Sequence, residues 1–232
     1  MKMPDYEKLP KELQCEAVKL YYDILKEKTA GLIVKRIFDV TVAVFLIILL
    51  SLPMAVIAVL IKCTSKGPVI YKQVRVTTFG RRFKIFKFRS MRTDADSKGE
   101  LLTVGEDSRI TNIGKFIRKF RLDELPQIFH VLSGKMTIVG TRPEVPKFTD
   151  KYTDEMLATL LLPAGVTSLA SIKYKDEAEL LANASDVDMA YIKTIRPEKM
   201  KYNLEYIKKF SFMGDIKLIF KTVAEVFSSR GE

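Results

Sequence analysis

The sequence predicts a mostly helical α+β protein, in which one apolar helix enters the membrane and a small cytosolic domain carries a β-hairpin. Three observations support this class. Residues 40–61 contain no charged side chain, and at about 1.5 Å per residue a helix of this length matches a hydrocarbon core of about 30 Å. Two short segments with strand-like alternation follow this apolar run. Most of the remaining chain has apolar residues at helical spacing.

Composition narrows the class of protein. The 232 residues are 47% hydrophobic and 29% charged, which excludes a disordered chain and a protein with many membrane spans. A net charge of +11 suits nucleic acid, anionic lipid or small phosphorylated partners. The two cysteines form neither a disulfide framework nor a zinc motif, and the charged N-terminus is not a signal peptide. These features indicate a reducing, cytosolic compartment.

The apolar run has a proline near its middle. Pro53 removes a backbone donor and clashes with the preceding turn, so we expect a kink at which the Ser51 hydroxyl satisfies the freed backbone. Lysines and arginines flank the run on both sides, whereas a spanning helix normally has them in excess on one side. The segment is therefore either a bent spanning helix or a re-entrant helix with both ends on one face; a buried core helix fits less well. We predict the re-entrant form, with both ends cytoplasmic.

Two features precede the apolar run, namely a leader segment and a pair of charged residues at the membrane boundary. Residues 5–29 read as an amphipathic helix, which either lies on the membrane surface or packs on the body. Its predicted apolar face contains Leu9, Leu13, Ala17, Leu20, Tyr21 and Ile24. At the membrane boundary a lone carboxylate is unfavourable, so we expect Asp39 to pair with Arg36 in a structural role. The predicted units are a leader helix over 1–30, a re-entrant helix over 31–66 and a cytosolic domain over 67–232.

A β-hairpin is predicted after the apolar run. Residues 69–76 and 83–88 have strand composition and are joined by a turn at 77–80. We expect cations on one face of this hairpin and aromatic side chains on the other. Either this is an ordinary solvated hairpin, or Arg75, Lys87 and Arg89 point towards a phosphate group.

Adjacent carboxylates follow a predicted amphipathic helix over 109–120. Pro126 is tolerated only in a first helical turn, so a new helix should begin close to Asp123. Asp123 and Glu124 then have one of two roles. Either they cap the helix, whose N-terminus favours negative charge, or they are functional residues beside Arg118 and nearby cations. A short buried strand or turn over 136–140 leads to Arg142, in a loop stiffened by Pro143. Further helices are expected over 90–100 (a short helix within this segment), 145–162, 175–183, 187–210 and 214–228.

Several blocks, in this order and spacing, resemble the monotopic phosphoglycosyl transferases, the bacterial sugar transferase family. The blocks lie at 35–39, the interrupted apolar run, 67–73, 87–91, 122–127, 140–144 and 163–167. Two positions depart from the family pattern. Leu52 separates Ser51 from Pro53 at the membrane break, and Thr141 stands where the family usually has proline before Arg142.

The resemblance implies an enzyme that transfers a phosphosugar from a UDP-sugar to polyprenyl phosphate and releases UMP. It implies the first membrane step of bacterial capsule or exopolysaccharide assembly, at the inner membrane, with the catalytic domain facing the cytosol. Asp123 is the implied nucleophile and forms a covalent phosphosugar intermediate; Asp123 and Glu124 are the implied ligands of Mg²⁺. The residues assigned to phosphate and substrate binding are Arg118, Arg142, Pro143, Arg75, Lys87, Arg89 and Gln127.

Two other classes of function remain open from the residues alone. A basic protein tethered to the membrane could bind nucleic acid, but the sequence contains no recognised nucleic-acid module, so we expect no nucleic-acid partner. A non-catalytic membrane scaffold would have no need of an Asp-Glu pair beside several arginines. The sequence is compatible with a homodimer.

Overall fold

The structure of the protein is a computed structural model, and it describes residues 3–93, 107–181, 184 and 186–228. It confirms a mostly helical chain with one long apolar helix and, among the described residues, two small two-stranded sheets. The α-helices are α1 Glu16–Glu27, α2 Thr29–Thr64, α3 Asn112–Lys119, α4 Ile128–Leu132, α5 Pro146–Thr149, α6 Asp154–Leu157, α7 Leu169–Lys173, α8 Glu177–Leu180, α9 Val187–Ala190, α10 Arg196–Lys208 and α11 Phe212–Ser228. The strands are β1 Ile70–Val76, β2 Arg82–Phe88, β3 Met136–Val139 and β4 Ala164–Thr167.

Helix α2 contains the whole apolar run and is long and apolar enough to cross a membrane. The helix continues through Pro53, and the kink expected there stays a prediction. The Ser51 hydroxyl donates to the carbonyl of Ile48 at 2.8 Å, within the turn that precedes the proline. The surface around this turn is open, with Ile48 71% and Leu52 73% exposed.

Both halves of α2 pack on the same globular body. Before the proline, Ala43 is fully buried in a cluster that contains Phe83. After the proline, three side chains of α2 pack in a cluster with Phe88; they are Met54, Ile57 and Ile61. Phe83 and Phe88 belong to the same strand, β2, so the two halves of the helix contact neighbouring parts of one body.

The polar residues at the start of α2 bind the body separately and do not form the predicted ion pair. Arg36 donates to the carbonyls of Val131 and Leu132, at 2.7 and 2.9 Å. Asp39 accepts from the Thr137 hydroxyl at 2.5 Å. The prediction was wrong because the last carbonyls of α4 lack helical donors, and they attract Arg36 away from Asp39. Both residues keep the structural role expected of them.

The leader packs on the body, which is one of the two alternatives predicted for it. Two short 3-10 turns, Tyr6–Lys8 and Lys11–Leu13, precede α1, so the single helix predicted over 5–29 is shorter and begins later. Pro10 interrupts the helical pattern at this place. The buried face of α1 consists of Val18, Tyr21, Tyr22 and Leu25. Leu20, which was predicted on this face, is 56% exposed.

The two sheets confirm the predicted hairpin and the short strand. Strands β1 and β2 pair antiparallel, and β3 pairs with β4 in parallel. Beyond the parallel pair, Gly140 and Gly165 approach closely: a Cβ on Gly165 would lie 2.1 Å from the Gly140 carbonyl oxygen. Only glycine permits this approach. It sets the direction of the chain as it enters the loop that carries Arg142.

The C-terminal helices follow the predicted regions with different bounds. The region predicted as one helix over 145–162 divides into α5, α6 and a 3-10 turn, Ala158–Leu161. Between α9 and α10 lies a π-helical turn, Tyr191–Ile195, which ends two residues before Pro197. A proline cannot donate to the preceding turn, which accounts for the local change in pitch. The helix expected within 90–100 falls largely outside the described residues.

Candidate active site

The two adjacent carboxylates lie in a 3-10 turn, Leu122–Gln127, which leads directly into α4. The predicted helix start close to Asp123 is therefore confirmed, although the first turns are 3-10. Leu122 and Leu125 pack in the cluster that also holds Phe88 and the second half of α2. This packing fixes the turn against α2, and Asp123 and Glu124 line a neighbouring cleft.

Glu124 is bound by two cations. Its carboxylate accepts from Arg142 at 2.6 and 3.0 Å and from the Lys87 ammonium at 2.9 Å. Burial alone would raise the pKa of this carboxyl group, but the charges and hydrogen bonds of Arg142 and Lys87 hold the pKa well below its usual range. Glu124 is therefore ionised, and its oxygens are engaged by protein cations.

Asp123 has a different environment. Its side chain is buried, with 8% of the residue exposed, and no described residue donates a hydrogen bond to its carboxylate. Burial raises the pKa of Asp123, while the charge of Lys87 opposes the increase. The neighbouring carboxylates thus have opposite shifts, which is how adjacent acids acquire separate roles in one site.

The inner face of the hairpin contributes basic and polar groups to the cleft. Residues that alternate along β2 share a face, so Lys87 lies on the side of Phe83 and Ile85. The prediction that cations and aromatic residues occupy opposite faces was therefore wrong for Lys87. On the same face of the hairpin, Arg75 of β1 pairs with Phe83 and donates to the Gln73 side chain at 2.6 and 3.0 Å.

The loop after β3 brings Arg142 to the acidic pair. One nitrogen of Arg142 also donates to the carbonyl of Val166 in β4, at 2.7 Å. Arg75 donates to the carbonyl of Pro143 at 3.1 Å. The parallel sheet and the hairpin therefore hold this loop from two sides, and Pro143 contributes its backbone oxygen.

The cleft has a volume of about 940 Å³ and is predominantly basic. Cations of the cleft outnumber its carboxylates and include Arg75, Lys87, Arg89, Arg118, Arg121 and Arg142. Leu46 and Leu50 of α2 line the same cleft. A single space thus joins apolar side chains of the long helix, clustered cations and the acidic pair Asp123 and Glu124, which suits an anionic ligand with an apolar portion.

Two of the predicted site residues are placed differently from the others. Arg89 lines the cleft but is 5% exposed, and it donates to the backbone and hydroxyl of Ser65 at 2.8 and 2.7 Å. Gln127 is 1% exposed and is not among the residues that line the cleft. The structure therefore brings Asp123, Glu124 and the basic residues together, and it leaves Gln127 in the interior.

The sequence reasoning missed a pair on the C-terminal part of the cleft. Lys199 of α10 and Glu177 of α8 line the cleft and form a salt bridge at 2.5 Å. Lys199 also lies 5.3 Å from the ring centre of Tyr191, which donates to Glu144 at 2.6 Å. No local motif marks these residues, because they lie 22 residues apart in the sequence and belong to two different helices.

Asp123 and Glu124 provide the hard oxygen atoms that Mg²⁺ prefers. In the described residues no group of three or more His, Cys, Asp or Glu side chains is arranged to hold a metal. Mg²⁺ commonly takes one or two carboxylates and completes its shell with water and substrate phosphates. The acidic pair fits this kind of site, in which a diphosphate ligand supplies the remaining oxygens.

Comparison with known proteins identifies a family and several relatives of this chain. The family described as bacterial sugar transferase matches residues 30–229. A UDP-glucose:undecaprenyl-phosphate glucose-1-phosphate transferase from Klebsiella pneumoniae is 35% identical over 86% of this chain and 41% of its own length. A UDP-N-acetylgalactosamine-undecaprenyl-phosphate N-acetylgalactosaminephosphotransferase from Aeromonas hydrophila is 36% identical over 85% of this chain and 44% of its own.

A shorter relative is matched over more of its length. A putative undecaprenyl-phosphate N-acetylgalactosaminyl 1-phosphate transferase from Bacillus subtilis is 46% identical over 57% of this chain and 74% of its own. The chain spans less than half the length of the Klebsiella and Aeromonas proteins. Because the family match covers most of the sequence, the chain belongs to the bacterial sugar transferase family.

Proposed function

We propose that the protein transfers a phosphosugar from a UDP-sugar to polyprenyl phosphate, the first membrane step of a bacterial glycan pathway. Family membership and the printed activities of the Klebsiella and Aeromonas relatives support the substrate classes. The observation that carries the mechanism is the unequal environment of the two carboxylates. Glu124 is bound by Arg142 and Lys87, whereas Asp123 is buried without a donor among the described residues.

In the first step, a carboxylate oxygen of Asp123 attacks the phosphorus that carries the sugar. A new oxygen–phosphorus bond forms, and the bond from this phosphorus to the bridging oxygen breaks. UMP leaves with that oxygen and its electron pair, and an acyl phosphate joins the sugar to Asp123. The cations of the cleft, including Arg118 and Arg142, reduce the repulsion between the carboxylate and the diphosphate.

In the second step, a phosphate oxygen of polyprenyl phosphate attacks the same phosphorus. The bond to Asp123 breaks, the carboxylate is restored, and a polyprenyl diphosphate sugar is released. Leu46 and Leu50 support this assignment, because α2 contributes them to the wall of the cleft that contains the carboxylates. A lipid phosphate can then reach the site while its chain stays beside an apolar helix.

Asp123 and Glu124 are the residues that would hold a Mg²⁺ ion, together with oxygens of the diphosphate. Such an ion would supply charge neutralisation and polarise the phosphoryl oxygens. Arg142 and Lys87 keep Glu124 ionised for this purpose, because their charges hold its pKa low.

We also propose that α2 is re-entrant and that the catalytic domain faces the cytosol at the inner membrane. Packing supports this, because residues on both sides of Pro53 pack in clusters that include side chains of strand β2 of one body. A helix that crossed the bilayer fully would carry one of these contacts to the other side. The segment between these clusters, with Ile48 and Leu52 exposed, would then lie in lipid.

The test is capture of the covalent intermediate. Purified protein in vesicles is given a panel of UDP-sugars without lipid acceptor, and peptides are analysed by mass spectrometry. We expect one phosphosugar added to the peptide that contains Asp123, with a matching amount of UMP. Asp123→Asn should form no adduct, because an amide cannot give the acyl phosphate.

Other outcomes decide between mechanisms. An adduct on Glu124 would reverse the roles of the two carboxylates. Release of UMP only in the presence of polyprenyl phosphate, with no adduct trapped, would favour direct transfer between the two substrates. Absence of UMP release from every UDP-sugar, with or without acceptor, would contradict the proposed activity itself.

A further inference from the structure

The loop that carries Arg142 is held from a third side by a buried tyrosine. The Tyr191 hydroxyl donates to Oε1 of Glu144 at 2.6 Å, just beyond Arg142 in the loop. Tyr191 is 3% exposed and lies in the π-helical turn between α9 and α10. Such turns are uncommon and occur frequently at functional sites. This one brings a residue 47 positions beyond Glu144 onto the loop beside the acidic pair.

Packing fixes the ring of Tyr191 against the same segment. Its centre lies 5.0 Å from that of the Phe148 ring, and both rings share a cluster with Val145, which directly follows Glu144. The Lys199 ammonium lies 5.3 Å from the ring centre of Tyr191. The ring therefore has little freedom to turn, and its hydroxyl stays directed at the Glu144 carboxylate.

Glu144 depends on this donor because several cations lie near its buried carboxylate. Burial raises the pKa of Glu144, and the hydrogen bond from Tyr191 is the largest effect that lowers it. Three charges lower it further, those of Lys199, Arg196 and Arg75. A buried carboxylate that lost its hydrogen bond would be stabilised by moving towards one of these cations.

One of these cations already holds the loop. Arg75 lines the cleft and donates at 3.1 Å to the carbonyl of Pro143, the residue directly before Glu144. An ion pair between Glu144 and Arg75 would compete with this contact, since a guanidinium binds a carboxylate more strongly than a neutral carbonyl. The loop would then shift, and the Arg142 guanidinium would no longer hold Glu124 with two nitrogens.

We propose that Tyr191 is a positioning residue for phosphosugar transfer: its hydroxyl holds Glu144, so that Arg142 stays on the acidic pair. This role rests on the proposed function, in which Arg142 and the other cations of the cleft reduce repulsion by the diphosphate. Tyr191 is not among the described residues that line the cleft, so it acts through the loop and not by touching a substrate.

A matched pair of tyrosine variants separates this role from stability. Tyr191→Phe keeps the ring and removes one hydroxyl. Tyr21→Phe is the control, because Tyr21 of the leader is 1% exposed and donates to Glu155 at 2.5 Å, outside the cleft. Both variants lose one buried hydrogen bond between tyrosine and glutamate, so their Tm values should fall by similar amounts. UMP release by the full chain in vesicles, with UDP-sugar and polyprenyl phosphate, gives kcat/KM.

We expect Tyr191→Phe to lower kcat/KM by about 5- to 30-fold, and Tyr21→Phe by less than about twofold. In the Arg142→Lys background the loss caused by Tyr191→Phe should shrink to less than about twofold, because the guanidinium that it positions is already absent. An equal loss in the two backgrounds would overturn the proposal. Equal losses for the two tyrosine variants would overturn it as well.

Amide hydrogen exchange measures the loop independently of activity. The N–H of Val76 donates to the carbonyl of Glu144 at 3.0 Å, so a loop released by Tyr191→Phe should let Val76 exchange at least about threefold faster. Tyr21→Phe should leave this rate unchanged, and an unchanged rate in Tyr191→Phe would contradict the positioning role. Absence of UMP release from the parent protein would contradict the proposed function, and the exchange rates would still decide whether Tyr191 holds the loop.

Discussion

Arg142 holds Glu124 with two nitrogens of its guanidinium, at 2.6 and 3.0 Å. One of these nitrogens also donates to the carbonyl of Val166. The planar fork thus connects the acidic turn to the parallel sheet, and it holds the Glu124 carboxylate in place at the edge of the cleft. Asp123, beside it, is left without such a donor among the described residues.

The first prediction concerns the shape of this fork. Arg142→Lys keeps the positive charge but loses the paired donors, so the transfer rate should fall by roughly 10- to 100-fold, measured as UMP release. Arg118→Lys should also lower the rate, because Arg118 lines the cleft beside the acids. Arg81→Lys, at an exposed position outside the cleft, is the control and should have normal activity. Normal turnover by Arg142→Lys would show that Arg142 only supports its loop.

A second prediction is that the neighbouring acids affect stability in opposite directions. Burial raises the pKa of Asp123, so its charge destabilises the native state at neutral pH, and Asp123→Asn should gain about 1 kcal/mol, or about 2–4 °C in Tm. The low pKa of Glu124 instead contributes stability above its unfolded pKa, which is lost as the pH falls through the folded value. Glu124→Gln leaves two cations poorly paired and should cost about 1–3 kcal/mol.

Thermal unfolding of the two variants in the same detergent measures this difference. Both variants should have low activity, so only their Tm values separate the roles of the two carboxylates. A lower Tm for Asp123→Asn would mean that Asp123 is a structural acid.

A third prediction concerns the single histidine. Nε2 of His130 accepts from the backbone N–H of Phe86 at 3.0 Å, and burial, helped by Lys135, lowers the pKa of His130 to about 4. Between about pH 6.5 and about pH 4 the unfolded chain binds a proton that the native state does not bind. The free energy of unfolding should therefore decrease as the pH is lowered through this window.

His130→Gln keeps an acceptor but cannot titrate, so it should remove this part of the pH dependence. The measurement is the Tm of both proteins at several pH values within the window. Parallel curves for the two proteins would show that His130 does not contribute, since the acidic residues that titrate nearby are common to both.

The fourth prediction tests the topology of α2. Cys15→Ser leaves Cys63, an exposed residue near the end of α2, as the sole cysteine. A second protein without native cysteines carries Ala30→Cys at the start of the helix. If α2 is re-entrant, an impermeant maleimide should label both from the cytoplasmic side and neither from the outside.

Pro53→Ala in each protein asks whether the proline determines this topology. Removing the proline favours a straight helix, so some molecules should shift to spanning, and Cys63 should become accessible from outside. Labelling of Cys63 from outside in the parent protein would contradict the re-entrant form. An unchanged pattern in Pro53→Ala would assign the topology to packing against β2 instead.

The sequence alone determined the features that depend on neighbouring residues. The apolar run, the hairpin over 70–88 and the helix start near Asp123 follow from periodicity, turn residues and the position of Pro126. The inward position of Lys87 was also present in the alternation of β2. One of the two alternatives for the hairpin included this position, whereas the predicted division of cations and aromatic residues between its two faces was wrong.

The tertiary structure alone decided which partner each polar residue takes. Asp39 accepts from Thr137, Glu124 binds Arg142, and Lys35 binds Asp215. Each of these partners comes from a part of the chain that local periodicity does not connect. Packing also left Gln127 buried and made the surroundings of two adjacent acids unequal. Burial and ion pairing depend on where distant segments meet in space, and no local pattern in the sequence records that meeting.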